Sequence, residues 1–478
     1  MKLRILPNQP QSLAVVRQYM VAVSASLPFA VAGSVVAWPS PILPKMLAQE
    51  APISMNIREI AWMVSLLYLG NLTSPIPAEY LADSYGRRKI LLYTGLVSVM
   101  SWLMILFATN STHLFVARFL AGLQFGMIAT VQPIYIGEIS QPDIRGTLNT
   151  FNNFMFGTGS LFSFVVGPFV SYYTFALVSL VFPLLFLLTF LFMPESPYYS
   201  LMKNRTENAR ESLFWLRGDL NRIELESELN QIERTVQNQM QRPGSFGDLF
   251  ATKSARKAMV INIAFSIIKR LTGAGAIMTF GSVSLPHRTF GVINSDECMI
   301  ILGIVNVLSS FLVAFVADMF SQKHLLIVSC SGCCVTTLVL SVWFFMDPNY
   351  DLDVSQSEFS PLLIFLVHNL FYNLACGYAG AVFQADIFPG NVKMKSTAVT
   401  TISLAFSSFI INKFYLVIAH YEGVFFNYVI FTVGSFLGVL FFVLYLPETR
   451  GKTLEEIQIM LGGSVGANVT SLPQTRTF

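Results

Sequence analysis

Long apolar runs and short polar breaks alternate along this chain with a spacing close to the thickness of a membrane. Runs of about 20 mostly apolar residues are what a helix needs to cross a bilayer. Twelve such runs occur, at roughly 18–38, 59–82, 90–109, 113–137, 148–171, 174–193, 258–280, 298–317, 325–346, 361–384, 397–419 and 424–446. Lipid offers no partners to backbone N–H and C=O groups, so each run is expected to be a helix. The break between the second and third runs is the most compact: Ala82-Asp83-Ser84-Tyr85-Gly86-Arg87-Arg88-Lys89 places three consecutive cations after one glycine. Three clustered cations need water, so the chain turns outside the bilayer here. A weaker copy, Ala317-Asp318-Met319-Phe320-Ser321-Gln322-Lys323-His324, separates the eighth and ninth runs.

The recurrence extends further. Glu138 and Arg145, seven apart, are echoed by Asp386 and Lys393, also seven apart, and Pro194-Glu195-Ser196-Pro197 is echoed by Pro447-Glu448-Thr449-Arg450. Landmarks repeated in the same order predict two pseudo-symmetric six-helix halves, an arrangement that puts a solute site between the halves near the bilayer midplane. The expected organisation is therefore 1–193 as one half, 194–257 as a helical loop, 258–446 as the second half and 447–478 as a tail. Within the loop, Asn221-Arg222-Ile223-Glu224 reads as a capping box, and Leu225, Leu229, Ile232 and Val236 form a helical stripe.

Composition agrees: 54% of the 478 residues are hydrophobic and 12% charged, against roughly a quarter charged in soluble domains. With the N-terminus placed in the cytosol, Lys and Arg number 23 on the cytosolic side and 3 outside, which predicts that both termini are cytosolic. No small-residue cleavage site follows the first run, so it is read as a membrane helix and not a signal peptide. Of the five cysteines, Cys330, Cys333 and Cys334 have a metal-like spacing but lack nearby His or acidic ligands and sit mid-run, so no metal is expected. No phosphate loop, metal-spaced His pair or nucleophile elbow occurs. An enzyme is not expected, nor a cofactor, and no basic-aromatic run suggests nucleic acid. His368, mid-run, is read as a hydrogen-bonded helix contact. Gly122 and Gly126, like Gly434 and Gly438, are spaced to let helices approach closely.

Five motifs in order resemble the sugar porter family of the major facilitator superfamily: Asp83-x-x-Gly86-Arg87-Arg88; Arg118-Phe119-Leu120-x-Gly122; Pro133-x-Tyr135-x-x-Glu138 with Arg145-Gly146; Pro194-Glu195-Ser196-Pro197; and Pro447-Glu448-Thr449-Arg450-Gly451. The stretch Gly33 to Pro44, with Trp38-Pro39-Ser40-Pro41, is similar to the insect facilitated trehalose/glucose transporter-like branch. The resemblance implies an all-α fold of twelve transmembrane helices and facilitated, alternating-access transport of a small polar solute, by default a hexose or trehalose, at the plasma membrane. It also implies a gating latch built from Gly86 and the helix-end charges Asp83, Arg87, Arg88, Glu138, Arg145, Glu195, Asp386, Lys393 and Glu448. Exposed pairs contribute only about 0–1 kcal/mol each, so such a latch acts collectively. The first helix lacks the aspartate of proton-coupled members, which favours a uniporter.

The solute site departs from the family. Anchored on the motifs, the fifth-helix glutamine falls on Asn153, the seventh-helix glutamine pair on Lys269 and Arg270, and the asparagine beyond it on Gly275. The tenth-helix tryptophan falls on Ala381 and the eleventh-helix Asn-Trp pair on Leu404 and Ala405. Lys269 and Arg270 lie mid-membrane, where each charge costs about 2.5–3.5 kcal/mol and should face water, a partner or a ligand. Two alternatives to sugar transport stay open on these residues: an anionic solute selected by Lys269 and Arg270, or a non-transporting sensor on the same scaffold.

Overall fold

The computed structural model describes residues 11–218, 221–241, 244–285, 288–289, 293–316, 320–349, 360–377, 388, 390–448 and 454–462. Its helices follow the apolar runs. The first half holds Gln11–Ala37 continued by Pro39–Leu47, Ile57–Thr73 by Pro75–Tyr85, Arg87–Leu106, Ser111–Ile139, Arg145–Val166, and Tyr172–Ser179 by Val181–Phe190. The second half holds Lys253–Leu271 continued by Ala274–Ser284, Ser295–Val316, Gln322–Asn349, Ser360–Tyr372 running into Asn373–Gly377, Gly390–Tyr421, and Val424–Tyr445. Among the described residues, eight spans are long and apolar enough to cross a membrane by length and composition. The one sheet among them is a hairpin pairing Arg288 with Asn294 and Thr289 with Ile293.

The spans break where the sequence gives them reason to. Proline lacks an N–H and suits the first turn of a helix, and Pro39 and Pro75 open the second pieces of the first and second spans. The start of the second span is fixed by a capping box between Asn56 and Glu59. Close packing follows the small residues. A Cβ on Gly122 would lie 1.9 Å from the Leu67 carbonyl oxygen, so the second and fourth spans meet backbone to backbone there. In the linker, Arg222–Gln241 buries Leu225, Leu229, Ile232 and Val236 against Leu201, Ala209 and Leu213.

The linker lies at one face of the bundle. Arg17, before the first apolar run, donates to the Trp215 carbonyl at 2.9 Å, and Gly462 sits beside Lys257. This is called the linker face, and the other the opposite face. The apolar cores differ between the two. Toward the opposite face a single cluster joins both halves: Trp38, Leu43 and Phe164 from the first, Ile277, Phe280 and Phe365 from the second. Toward the linker face each half has a separate cluster, one around Val21, Tyr135 and Phe190, the other around Met259, Leu326 and Phe442.

Candidate solute site and charged latch

The seventh span is interrupted at mid-height. Lys253–Leu271 stops at Thr272, Gly273 takes a φ of +87°, and Ala274–Ser284 restarts the helix. Only glycine adopts that backbone without strain, and a Cβ there would also sit 2.6 Å from the Phe431 ring. Beside it, the tenth span widens from Ser360–Tyr372 into a π turn at Asn373–Gly377, a feature common at functional sites. The two irregularities meet through Lys269, whose Nζ donates to the Gly377 carbonyl at 3.1 Å. A second cation, the buried Arg118 of the first half, is satisfied the same way. Arg118 Nη1 donates at 2.6 Å to the Val35 carbonyl, just before the break in the first span.

Arg270 differs. Its Nε is buried with no hydrogen-bond partner. Its Nη1 lies 3.0 Å from where a Cβ on Gly275 would stand. Among the described residues no carboxylate forms an ion pair with it: Glu79, in the second span, takes Lys395 instead, at 3.4 Å. Gly275 therefore leaves the space that the guanidinium occupies.

Amides that the motif anchoring does not pick out gather nearby. Asn373 Nδ2 shares its two hydrogens among three acceptors, Asn306 Oδ1 at 2.9 Å, Ser309 Oγ at 2.7 Å and Asn369 Oδ1 at 3.1 Å. Asn306 and Asn369 line a cavity of about 10 Å³ together with His368, Phe164, Ile277 and Phe365, room for about one water. His368 Nδ1 is 2.9 Å from Thr336 Oγ1. The Thr336 hydroxyl has one hydrogen and lies 2.8 Å from the Gly332 carbonyl. With that hydrogen on the carbonyl, the imidazole Nδ1–H donates to the hydroxyl and Nε2 is left as an acceptor. Nε2 is buried with no partner. The sequence signal for this cluster was present as three asparagines inside apolar runs, two of them four residues apart.

The site residues taken from the motifs separate. Asn153 is exposed. It lies one helical turn from Gly157, which faces Val307 of the eighth span. Its neighbour Asn152 is the buried one, locked in a reciprocal amide pair with Gln132 at 2.7 and 2.8 Å and accepting from Ser26. Ala381 lies outside the described residues, and Ala405 is buried.

At the linker face, Arg87 is 2% exposed. It pairs with Asp83 at 2.9 Å and Glu138 at 3.1 Å, donates to the Ala82 carbonyl at 3.0 Å, and lies 5.4 Å from the Tyr199 ring. Glu195 accepts the Arg88 backbone N–H at 3.0 Å and its neighbour Ser196 N–H at 2.9 Å. Burial pushes its carboxyl above the usual range, and these two donors oppose the shift. Gly86, at φ +107°, is held close: a Cβ would meet Glu195 Oε2 at 2.3 Å. Arg145 is exposed and has no ion pair among the described residues. Glu448 accepts from the Ser321 hydroxyl and lies 3.9 Å from His324. Asp386 and the side chain of Lys393 lie outside the described residues. Asp83, Arg87, Arg88 and Glu138 of the first half thus form one cluster with Glu195 at the start of the linker. The Glu79–Lys395 pair joins one half to the other.

Comparison with known proteins places these features in context. Residues 35–461 match the family described as "Sugar (and other) transporter". The chain is 28% identical over 466 residues to the facilitated trehalose transporter Tret1 of Anopheles gambiae, covering 97% of this chain and 58% of that protein. It is 28% identical over 438 residues to Tret1 of Bombyx mori, covering 90% and 85%. The chain spans little more than half the length of the mosquito relative. Its fold superposes on the proton:xylose symporter XylE bound to 6-bromo-6-deoxy-D-glucose with a TM-score of 0.73 at 19% identity, covering 95% of this chain and 100% of that one. For a partially occluded inward open conformation of XylE from E. coli the TM-score is 0.76 at 19% identity, with 92% and 100% covered.

Proposed function

The chain belongs to the sugar (and other) transporter family, and we propose that it moves a hydroxylated solute of sugar size across a membrane by alternating access. The observation that carries this reading is the amide and imidazole cluster of Asn306, Asn369, Asn373 and His368, set where the common core of the two halves begins to divide. Amides both donate and accept, as sugar hydroxyls require, and Phe164 and Phe365 supply apolar faces beside them. A rocking of the halves would part the common core at the opposite face and bring the separate cores at the linker face together.

The finer assignments follow on the same basis. The linker face is the cytosolic one, because it carries the excess of Lys and Arg. Both termini are then cytosolic, and the plasma membrane is the compartment to test first; in the arrangement described the apolar cores of the two halves are separate toward that face. The first span contains no acidic residue, which supports movement without proton coupling. The relatives' name makes trehalose, with glucose, the first solute to try. Purified protein in vesicles should accumulate labelled glucose or trehalose to equilibrium, and Asn306→Ala with Asn369→Ala should lower the rate about tenfold at equal reconstitution. Retained protein in the bilayer with no flux of any sugar would sink the proposal in favour of a sensor.

A further inference from the structure

We propose that the transported solute is an anionic sugar, a sugar acid bearing one carboxylate, and that Arg270 is the residue that selects it. This rests on the transport reading above. A guanidinium at mid-membrane is placed there for water, a partner or a ligand. A partner is excluded among the described residues, since Arg270 has neither an ion pair nor a hydrogen bond and its buried Nε faces no acceptor. The two other cations of comparable depth, Lys269 and Arg118, are each bound to a backbone carbonyl at a helix break. Glu79, the carboxylate inside the second span, is held by Lys395.

The surroundings fit a carboxylate in particular. The guanidinium tip lies over Gly275, in the first turn of the half-helix that begins at Ala274. Free backbone N–H groups and the positive end of the helix dipole favour an anion at that place. Ala274, Ile277 and Met278 of the same half-helix line the cavity that Asn306, His368 and Asn369 also line. Arg270 and the amides thus flank the same half-helix; the cavity holds about one water in this arrangement, so a sugar acid with its hydroxyls on the amides and its carboxylate on Arg270 requires the site to widen as the halves move. A guanidinium fork matches a carboxylate with two parallel hydrogen bonds. One available cation suits a monoanion. A phosphate monoester, with a charge of about −1.5 to −2 at neutral pH, is better matched by two cations at one point, and Lys269 is directed instead to the Gly377 carbonyl.

The test uses the full chain in proteoliposomes and compares labelled glucuronate, glucose, trehalose and glucose 6-phosphate. The expected result is glucuronate uptake faster than that of either neutral sugar, accelerated by an inside-positive potential because a net charge moves. Arg270→Gln should cut glucuronate uptake roughly tenfold to a hundredfold and leave neutral-sugar uptake equal or higher, with Arg270→Lys between. Neutral sugars carried while glucuronate is not would overturn this inference and leave the transport reading standing. Preference for the phosphate ester, or an equal fall for charged and neutral sugars in Arg270→Gln, would also overturn it. No flux of any of the four would remove the transport reading and this one with it. If Arg270→Gln does not reconstitute, the comparison of solutes on the unaltered chain decides alone.

Discussion

The two faces of this bundle are built from the same spans but are held together differently. Toward the opposite face, residues of both halves share one apolar core, and Phe280 and Tyr415 stack there at 4.5 Å within it. Asp296 and Lys45, from different halves, interact through their opposite charges at that face. Toward the linker face each half keeps its own core, and the charged cluster around Arg87 ties together elements of a single half. Apolar contact therefore joins the halves at one face. At the other, a buried charge cluster ties the first half together, and the Glu79–Lys395 pair is the ion pair described between the halves.

The largest effect is expected from breaking that cluster. Arg87→Ala leaves Glu138 and Asp83 without their buried cation. The loss should be about 3 kcal/mol, near the low end for a buried pair because Glu138 retains some water contact. A thermal shift of purified protein measures it, and an unchanged melting temperature would show that the cluster does not rigidify the half. Second comes the close approach of spans two and four. Gly122→Val must displace the second span from a 1.9 Å clash with Leu67, lowering the yield of folded protein by size-exclusion chromatography. Normal yield would mean that this approach is not essential. Glu79→Gln should act on the junction between the halves, changing the uptake rate with little change in melting temperature. Equal rates would place the Lys395 pair outside the transport cycle. The smallest effect on stability is at Arg145, exposed and with no ion pair among the described residues. Arg145→Ala should shift stability by less than about 0.5 kcal/mol yet lower uptake per surface molecule. That is the expectation if Arg145 engages a partner only when the linker face closes.

Much of this was legible in the sequence because lipid leaves so few choices. An apolar run of membrane length must be a helix, and a cluster such as Arg87-Arg88-Lys89 must lie outside the hydrocarbon, so spans and turns follow from pattern alone. The glycines at 122 and 126 were readable for the same reason. The site was legible only in part. Lys269 stood out as a charge in an apolar run. That it reaches the Gly377 carbonyl depends on a π turn 108 residues away, which no local pattern announces. Asn153 was chosen by alignment to a motif, yet Asn152 is the buried amide. Asn306, Asn369 and Asn373 act as a group through contacts across two spans, and singly each looked like an ordinary polar residue in a helix.

The most direct measurement is flux through a protein whose opposite face is chemically held shut. Ser282 donates its hydroxyl to the Ser40 carbonyl across the two halves, so Ser40→Cys with Ser282→Cys places two thiols at that seam. Alternating access predicts that a short reducible cross-link there stops sugar flux while sugar still binds from the linker face, and that cleaving the link restores flux. Undiminished flux with the link in place would contradict it.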